Sequence, residues 1–290
     1  MLEFRRLSSA LGAEVLNFDW KKKISLGLAD ELHKALLQYS VLLFRGREIS
    51  PEQQLEFTRV FGEPDTNNAV ADYRHPDFNE IIILSNEAQA GKSPLSGKAG
   101  RQWHTDHSHT LRPTLASILH AKVIPDIGGD TMFSNMYMAY EALSEGLKTL
   151  LDPLWAVHDA TNANHIRRLD TAGRAAKRKM APPVAQPVVR THPETGRKAL
   201  YVNEMLTRNF VDMSEAESRP LLTYLFAHAV RSEFCYRHQW QLHDVLIWDN
   251  RCTQHNALAD FDQRQTRTMF RTAVEGSPSG YLVDLSLETS

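Results

Sequence analysis

The strongest constraint on the fold is the succession of short apolar segments, separated by turn residues, that fills the chain after residue 80. Residues 80–84 and 115–123 are of this kind, and residues 188–192 and 198–202 flank a Pro-Glu-Thr-Gly sequence that predicts a hairpin turn. Segments of this length and composition are typical of β-strands. We therefore expect an antiparallel core that is closed on itself or built from two packed sheets.

Longer segments are predicted to be helices, mainly early in the chain or as insertions between strands. Two of them have clear start signals. Ser50 is followed by Pro51, and Ser214 is followed three positions later by Glu217, which is the spacing of a capping box. The predicted helices cover residues 28–39, 51–62, 138–150 and 214–229.

The organisation of the chain predicts a single α+β domain over residues 1–290, because no repeat and no interdomain linker is evident. Residues 88–101 are rich in Gly, Ser, Lys and Ala and are predicted to form a mobile loop. A lid-like insertion with some helix is predicted at about 159–187. Its basic run, residues 165–179, is either a lid that closes over an anionic substrate or a solvated loop; it lacks the interleaved aromatic residues of a nucleic-acid site.

The composition predicts a soluble cytoplasmic protein that binds neither membranes nor nucleic acid. The formal net charge is only −2, no apolar run approaches 18 residues, and the N-terminus lacks the apolar core of a signal peptide. The two cysteines, Cys235 and Cys252, provide no disulfide framework and no CxxC motif, which fits a reducing compartment.

The most informative motif for function is Trp-His-Thr-Asp-His-Ser-His at residues 103–109. If this segment is a strand, His104 and Asp106 point to one face, and His107 and His109 point to the other. A second motif far along the chain places His255 after an apolar strand and a polar turn. Two histidines and one carboxylate can occupy three facial positions of an octahedral metal, the arrangement of non-heme iron(II) oxygenases.

Two arginines follow the second histidine. Arg267 and Arg271 are four residues apart, so they lie on the same face if the segment is a strand. A guanidinium group can bind a carboxylate with two parallel hydrogen bonds, which lysine cannot reproduce. The order of the three elements therefore predicts an oxygenase site that uses a dicarboxylate co-substrate.

These motifs resemble the taurine dioxygenase superfamily of iron(II)/2-oxoglutarate-dependent dioxygenases, and most closely its branch of 2,4-dichlorophenoxyacetate and related aryloxyalkanoate dioxygenases. The resemblance runs from about residue 35 to about residue 275. It implies a mainly β fold, a double-stranded β-helix or distorted jelly roll, with flanking helices and a long insertion before the second histidine. The segments that carry it are SVLLFRG, PEQQLEFTRVFG, WHTDHSH, GGDTMFSN, VVRTHPETGRKALYVN, EFCYRHQW, WDNRCTQH and RTMFR.

The resemblance also implies roles for individual residues. His104, Asp106 and His255 match the metal ligands of the family. Thr131 and Arg267 match the residues that bind the distal carboxylate of 2-oxoglutarate.

Further residues match positions near the co-substrate and the substrate. Trp248 matches an apolar residue next to the co-substrate, or it is plain core. Arg271 matches an arginine that contacts an anionic substrate group, and Asn203 and Met205 match a loop that lines the substrate pocket. His109 replaces an aromatic pocket residue, which is a departure from the relatives.

The activity implied is hydroxylation of a C–H bond in a small anionic substrate, such as an aryloxyalkanoate, another carboxylate or a sulfonate. Iron(II), O2 and 2-oxoglutarate are the implied cofactor and co-substrates, with succinate and carbon dioxide as products, and a homo-oligomer is expected. Two alternatives remain at this point: a zinc-dependent hydrolase that uses the same ligands, and a non-catalytic jelly-roll binding protein.

Overall fold

The computed structural model describes residues 1–66, 73–88 and 100–283, and within these residues sixteen strands outnumber seven α-helices. The expectation of a mainly β protein with some helices is confirmed. The strands of the described residues are β1 (Phe4–Arg6), β2 (Ala13–Val15), β3 (Val41–Phe44), β4 (Ile82–Ser85), β5 (Ala116–Val123), β6 (Thr131–Asn135), β7 (Trp155–His158), β8 (Val184–Pro187), β9 (Val189–Thr191), β10 (Lys198–Leu200), β11 (Thr207–Phe210), β12 (Cys235–His238), β13 (Val245–Asp249), β14 (Thr253–Ala257), β15 (Thr268–Val274) and β16 (Tyr281–Leu282).

The helices lie between these strands, as the sequence predicts. They are α1 (Leu26–Tyr39), α2 (Pro51–Arg59), α3 (Met136–Glu141), α4 (Glu145–Leu151), α5 (Asn164–Arg167), α6 (Thr171–Met180) and α7 (Glu215–Ala229). The predicted caps are present: the Ser50 and Ser214 side chains accept hydrogen bonds from the backbone N–H groups of Gln53 and Glu217, which complete capping boxes. In the described part of the chain, no helix is long and apolar enough to cross a bilayer.

A seven-stranded sheet forms the main scaffold, in the order β1-β2-β3-β13-β5-β15-β4. Its central strand β13 is fully buried and pairs antiparallel with β3 and with β5. A strand that is covered on both faces requires a continuous apolar sequence, and Val-Leu-Ile-Trp provides one. A three-stranded sheet, β12-β6-β14, and a four-stranded sheet, β11-β7-β8-β16, complete the larger β elements.

Helices α1 and α2 cover one face of the large sheet. Leu32 and Leu36 of α1 pack into the same cluster as Phe57 of α2, against Phe44 and Ile247 of the strands. Besides Phe44, three further aromatic rings surround Phe57 with centroids 5.1 to 6.0 Å away: Phe18, Trp20 and Phe61. This cluster buries the apolar faces that the sequence assigns to both helices.

The helix predicted at 138–150 is divided in the structure. Helix α3 ends at Glu141, and α4 begins at Glu145 with Ser144 as its cap. Leu143, in the link between them, is buried in the core that α3 shares with α7. The Ser144 cap and the packing of Leu143 thus interrupt the helix. The spacing of apolar residues, which continues through this region, does not reveal either effect.

The predicted insertion at 159–187 contains two different parts. Helix α6 buries none of its residues and is held by Arg178, whose Nε donates to a buried Asp159 carboxylate oxygen at 2.8 Å. Residues 184–187 are instead strand β8, buried between β7 and β16, so the surface-loop prediction is wrong for this end of the segment. Most of the loop predicted at 88–101 lies outside the described residues.

Candidate metal and co-substrate site

The candidate site is a cavity of about 250 Å³. Strands β4, β5, β13 and β15 of the large sheet contribute to its wall, and so do β6 and β14 of the three-stranded sheet. The predicted residues that line it are His104, Asp106, His109, Thr131, Met205, Trp248, His255, Arg267 and Arg271.

A short backbone bridge brings the two distant histidine motifs together. The N–H of His104 donates to the carbonyl of His255 at 3.0 Å, and the N–H of His255 donates to the carbonyl of His104 at 2.9 Å. The two imidazole centroids lie 4.1 Å apart as a result. Each Nε2 atom faces Oδ1 of Asp106, at 3.7 Å from His104 and 3.9 Å from His255.

The protonation states of these three side chains suit metal binding. His104 Nδ1 lies 2.8 Å from the carbonyl oxygen of Gln102, so this nitrogen carries the proton and Nε2 keeps its lone pair. Burial lowers the pKa of His104 and that of His255, which keeps both imidazoles neutral. Burial by itself would raise the pKa of Asp106, but Arg271 and the two histidines hold it well below its usual range.

The donor set therefore fits a divalent iron ion. Two neutral imidazole nitrogens and one carboxylate oxygen lie within 4.8 Å of one another, buried at the wall of a cavity. Metal ligands must be deprotonated, and these three groups are. Three ligands on one side leave coordination positions open toward the cavity.

The predicted alternation of side chains along 103–109 is wrong beyond Asp106. Residues 106–109 form a turn instead of a strand, and His107 has a left-handed backbone with φ of 53°. Both His107 and His109 consequently line the same cavity as the metal-ligand candidates. A turn can place consecutive residues on one side, whereas a strand cannot.

Arg267 is a buried cation, and among the described residues no carboxylate forms an ion pair with it. Its Nε donates to the carbonyl of Gly129 at 2.9 Å. The acidic residues beside it, Asp130 and Asp260, are both engaged by Arg237. Burial lowers the pKa of Arg267 to about 10, so it remains charged at neutral pH.

Thr131 lies in the same cavity wall with its hydroxyl oriented by a neighbour. Trp240 Nε1 donates to Thr131 Oγ1 at 3.0 Å. The hydroxyl proton of Thr131 is therefore available to an acceptor in the cavity.

The residues predicted at the substrate position have different surroundings. Met205 and Arg271 line the cavity, and Arg271 Nη2 lies 3.0 Å from Oδ2 of Asp106. Asn203 does not line the cavity. Its amide donates to Ser108 and accepts from the N–H of Leu206, so it stabilises the loop that contains Met205.

Some lining residues were not predicted: strand alternation predicts that His107 points away from His104, and the other residues belong to no functional motif of the sequence. The nearest sequence signal is the position of Leu84 and Leu119 in predicted strands. The additional residues are Leu84, Gly100, Arg101, His107, Leu119, Leu206, Ala257, Leu258 and Phe261.

A second buried group, His192, Asp249 and Cys252, has ligand atoms equally close together. His192 Nδ1 accepts from two backbone N–H groups, so Nε2 carries the proton and donates to Asp249 at 3.1 Å. Arg251 also donates to both oxygens of Asp249. Both ring nitrogens of His192 and both carboxylate oxygens of Asp249 are thus engaged in hydrogen bonds, and the group anchors the turn that leads to His255.

The fold and the site together define a non-heme iron oxygenase. The chain belongs to the taurine catabolism dioxygenase TauD, TfdA family, whose model matches residues 3–273. It is therefore an iron(II)- and 2-oxoglutarate-dependent dioxygenase, which sets aside the zinc-hydrolase and binding-protein alternatives.

Individual relatives cover nearly the whole chain. The 2,4-dichlorophenoxyacetate dioxygenase of Cupriavidus pinatubonensis is 34% identical over 258 residues, which are 86% of this chain and 89% of that protein. A 2-oxoglutarate-dependent sulfate ester dioxygenase of Pseudomonas putida is 32% identical over an alignment of 296 residues, which covers 99% of this chain and 94% of that protein. The crystal structure of AAD-2 in complex with Mn(II) and N-oxalylglycine has a TM-score of 0.81 at 31% identity, covering 96% of this chain and 99% of that one.

Proposed function

We propose that this enzyme hydroxylates a C–H bond of a small organic anion, with His104, Asp106 and His255 as the iron ligands. One observation supports this most directly. The three buried donor atoms share a cavity with Arg267, a buried cation that has no carboxylate partner in the described part of the chain. When bound, iron(II) would supply the oxidation of the C–H bond by O2: one oxygen atom enters the substrate as the hydroxyl group, and the other enters succinate as 2-oxoglutarate is oxidised and loses carbon dioxide.

We assign the orientation of the co-substrate to further residues of the cavity wall. Arg267 binds the distal carboxylate through its Nη atoms, because its Nε is already used by Gly129. Thr131 donates its free hydroxyl proton to the same carboxylate. The indole of Trp248, whose ring centroid lies 4.7 Å from that of His255, contributes apolar wall to the same cavity.

The charges of the cavity favour an anionic substrate. Its described wall contains three arginines, Arg101, Arg267 and Arg271, but only one carboxylate, that of Asp106. We assign Arg271 to the anionic group of the substrate and His109 to the wall of the same substrate cavity. Most of the remaining wall is apolar, including Leu84, Leu119, Met205, Trp248 and Phe261, so the substrate has an apolar body.

The relatives are named for aryloxyacetate and sulfate ester substrates, and we place the substrate of this enzyme among aryloxyalkanoates, other carboxylates, sulfonates and sulfate esters. Hydroxylation of a carbon that bears an ether or ester oxygen gives an unstable product, so turnover cleaves that bond. We also propose that residues 1–290 are one domain whose sheets form a double-stranded β-helix. The α5–α6 segment of the 159–187 insertion closes over the substrate as a lid, and the enzyme is a homo-oligomer.

The proposal is tested by anaerobic titration of the metal-free protein with Fe(II) and then with 2-oxoglutarate. We expect a weak visible charge-transfer band that requires both additions. Aryloxyacetate, alkylsulfonate and alkyl sulfate probes are then added, and the substrate class is the one that shifts the band. Absence of the band in folded protein that retains iron would refute the assigned co-substrate site.

A further inference from the structure

The two oxygens of the Asp106 carboxylate are held in different ways. Oδ1 faces the two histidines, at 3.7 and 3.9 Å. Oδ2 points away from them and accepts a hydrogen bond of 2.6 Å from the hydroxyl of Ser117 on strand β5. Arg271 Nη2 lies 3.0 Å from the same oxygen.

The direction of the Ser117 hydrogen bond is set by Asn250. The amide Nδ2 of Asn250 donates to Ser117 Oγ at 3.0 Å. A hydroxyl has a single proton, so with its oxygen accepting from Asn250, Ser117 donates to Asp106.

The orientation of Asn250 is determined in turn by two N–H groups. Its Oδ1 accepts from Trp248 Nε1 at 3.0 Å and from the backbone N–H of Asp106 at 3.3 Å. Neither donor can accept a hydrogen bond, so the oxygen of the amide must face them and the nitrogen must face Ser117. Ser117, Trp248 and Asn250 are all fully buried, and water does not compete for these bonds.

We propose that Ser117 and Asn250 are positioning residues that hold Asp106 as a metal ligand through Oδ1 alone. This inference rests on the proposed metal site. A carboxylate free to rotate about χ2 could offer both oxygens to the metal and occupy a position that the co-substrate or O2 requires. The Asn250–Ser117 pair prevents this because rotation would break the 2.6 Å bond and leave a buried hydroxyl without an acceptor.

A merely structural role for these residues predicts lower stability but unchanged metal affinity per folded molecule. The test is therefore Mn(II) binding to the metal-free protein, measured from the electron paramagnetic resonance signal of free Mn(II). Substitution of groups that orient a metal ligand typically weakens metal affinity by about 10- to 100-fold, and we expect this for Ser117→Ala. Ser117→Thr keeps the hydroxyl and should restore most of the affinity.

The matched control is Ser218→Ala, which removes an equally buried hydroxyl from α7, where it accepts from the N–H of Phe210. This control should bind Mn(II) as the wild-type protein does. If Ser117→Ala does not fold, Asn250→Asp decides the question. It keeps the acceptor for Trp248 and Asp106 but replaces the donor to Ser117, so the hydroxyl proton is drawn away from Asp106 and Mn(II) affinity should fall by a similar factor.

The outcomes separate this inference from the proposed function. If the wild-type protein binds no Mn(II), or if Asp106→Ala binds it normally, the metal site itself is wrong. If Asp106→Ala loses binding while folded Ser117→Ala or Asn250→Asp retains wild-type affinity, the positioning role is refuted. An equal loss in Ser218→Ala would also refute it, since the effect would then be general destabilisation.

Discussion

Replacing Arg267 by alanine should weaken 2-oxoglutarate binding strongly without preventing metal binding. Its Nε is used by Gly129, and its Nη atoms have no partner among the described residues, so two N–H groups can meet the distal carboxylate. A hydrogen bond to a charged group contributes about 1.5–3 kcal/mol. Two such bonds give at least about 3 kcal/mol, which corresponds to a roughly 100-fold higher Kd for 2-oxoglutarate.

The assay is anaerobic titration of the Fe(II)-loaded variant with 2-oxoglutarate, followed by the visible charge-transfer band. Arg267→Lys keeps a charge but not the planar pair of donors, and its Kd should lie between those of wild type and Arg267→Ala. Arg264→Ala is the matched control, because the Arg264 side chain is 90% exposed and its partner is Asp262. An unchanged 2-oxoglutarate Kd in folded, metal-binding Arg267→Ala would refute the assigned role.

Three further predictions concern the metal, pH and the core. His255→Ala should lose Fe(II) binding and Fe(II)-dependent succinate production while keeping a folded circular dichroism spectrum; retained turnover would remove His255 from the ligand set. Burial, helped by Lys122, lowers the pKa of His120 from 6.5 to about 4, so the folded state resists protonation. Neutral His120 therefore makes its full contribution to stability above pH 6.5, and the unfolding free energy falls by about 3 kcal/mol as the pH drops toward 4. In urea titrations across this range, the unfolding free energy of His120→Leu should fall less steeply than that of the wild-type protein. Phe57→Ala should lower the unfolding free energy by about 3–5 kcal/mol, because it empties the centre of the aromatic cluster below the large sheet; a loss near zero in urea denaturation would show that this cluster is not a rigid core.

The sequence is most informative where local rules decide the structure. The capped helices α2 and α7 begin where Ser50 and Ser214 predict, because a cap satisfies backbone donors within one turn of the chain. The spacing of Arg267 and Arg271 correctly predicts that both face one cavity. These results depend only on residues a few positions apart.

The parts that could not be predicted depend on contacts between distant segments. Nothing in the local sequence shows that Ser117 meets Asp106, or that Asn203 lies behind the cavity wall and bonds Ser108. The left-handed backbone at His107, with φ of 53°, also has no decisive local signal: histidine adopts positive φ more often than most residues do, but only a few per cent of non-glycine residues adopt it at all. In this conformation the imidazole of His107 contacts the side chains of Thr114 and Asp65.

Metal binding at the proposed ligands would be coupled to the assembly of the two sheets. His255 lies on β14 of the three-stranded sheet, whereas Ser117, which holds Asp106, lies on β5 of the large sheet. The backbone bridge between His104 and His255 joins the 103–109 segment to β14, and the hydrogen bond from Ser117 to Asp106 joins the same segment to β5. A metal ion that binds only when both sheets are in place must stabilise their arrangement, because a ligand that binds only the folded state raises its stability. The turn before His255 is anchored by the buried Asp249 and Arg251, and displacement of that turn would move His255 relative to the other two proposed ligands.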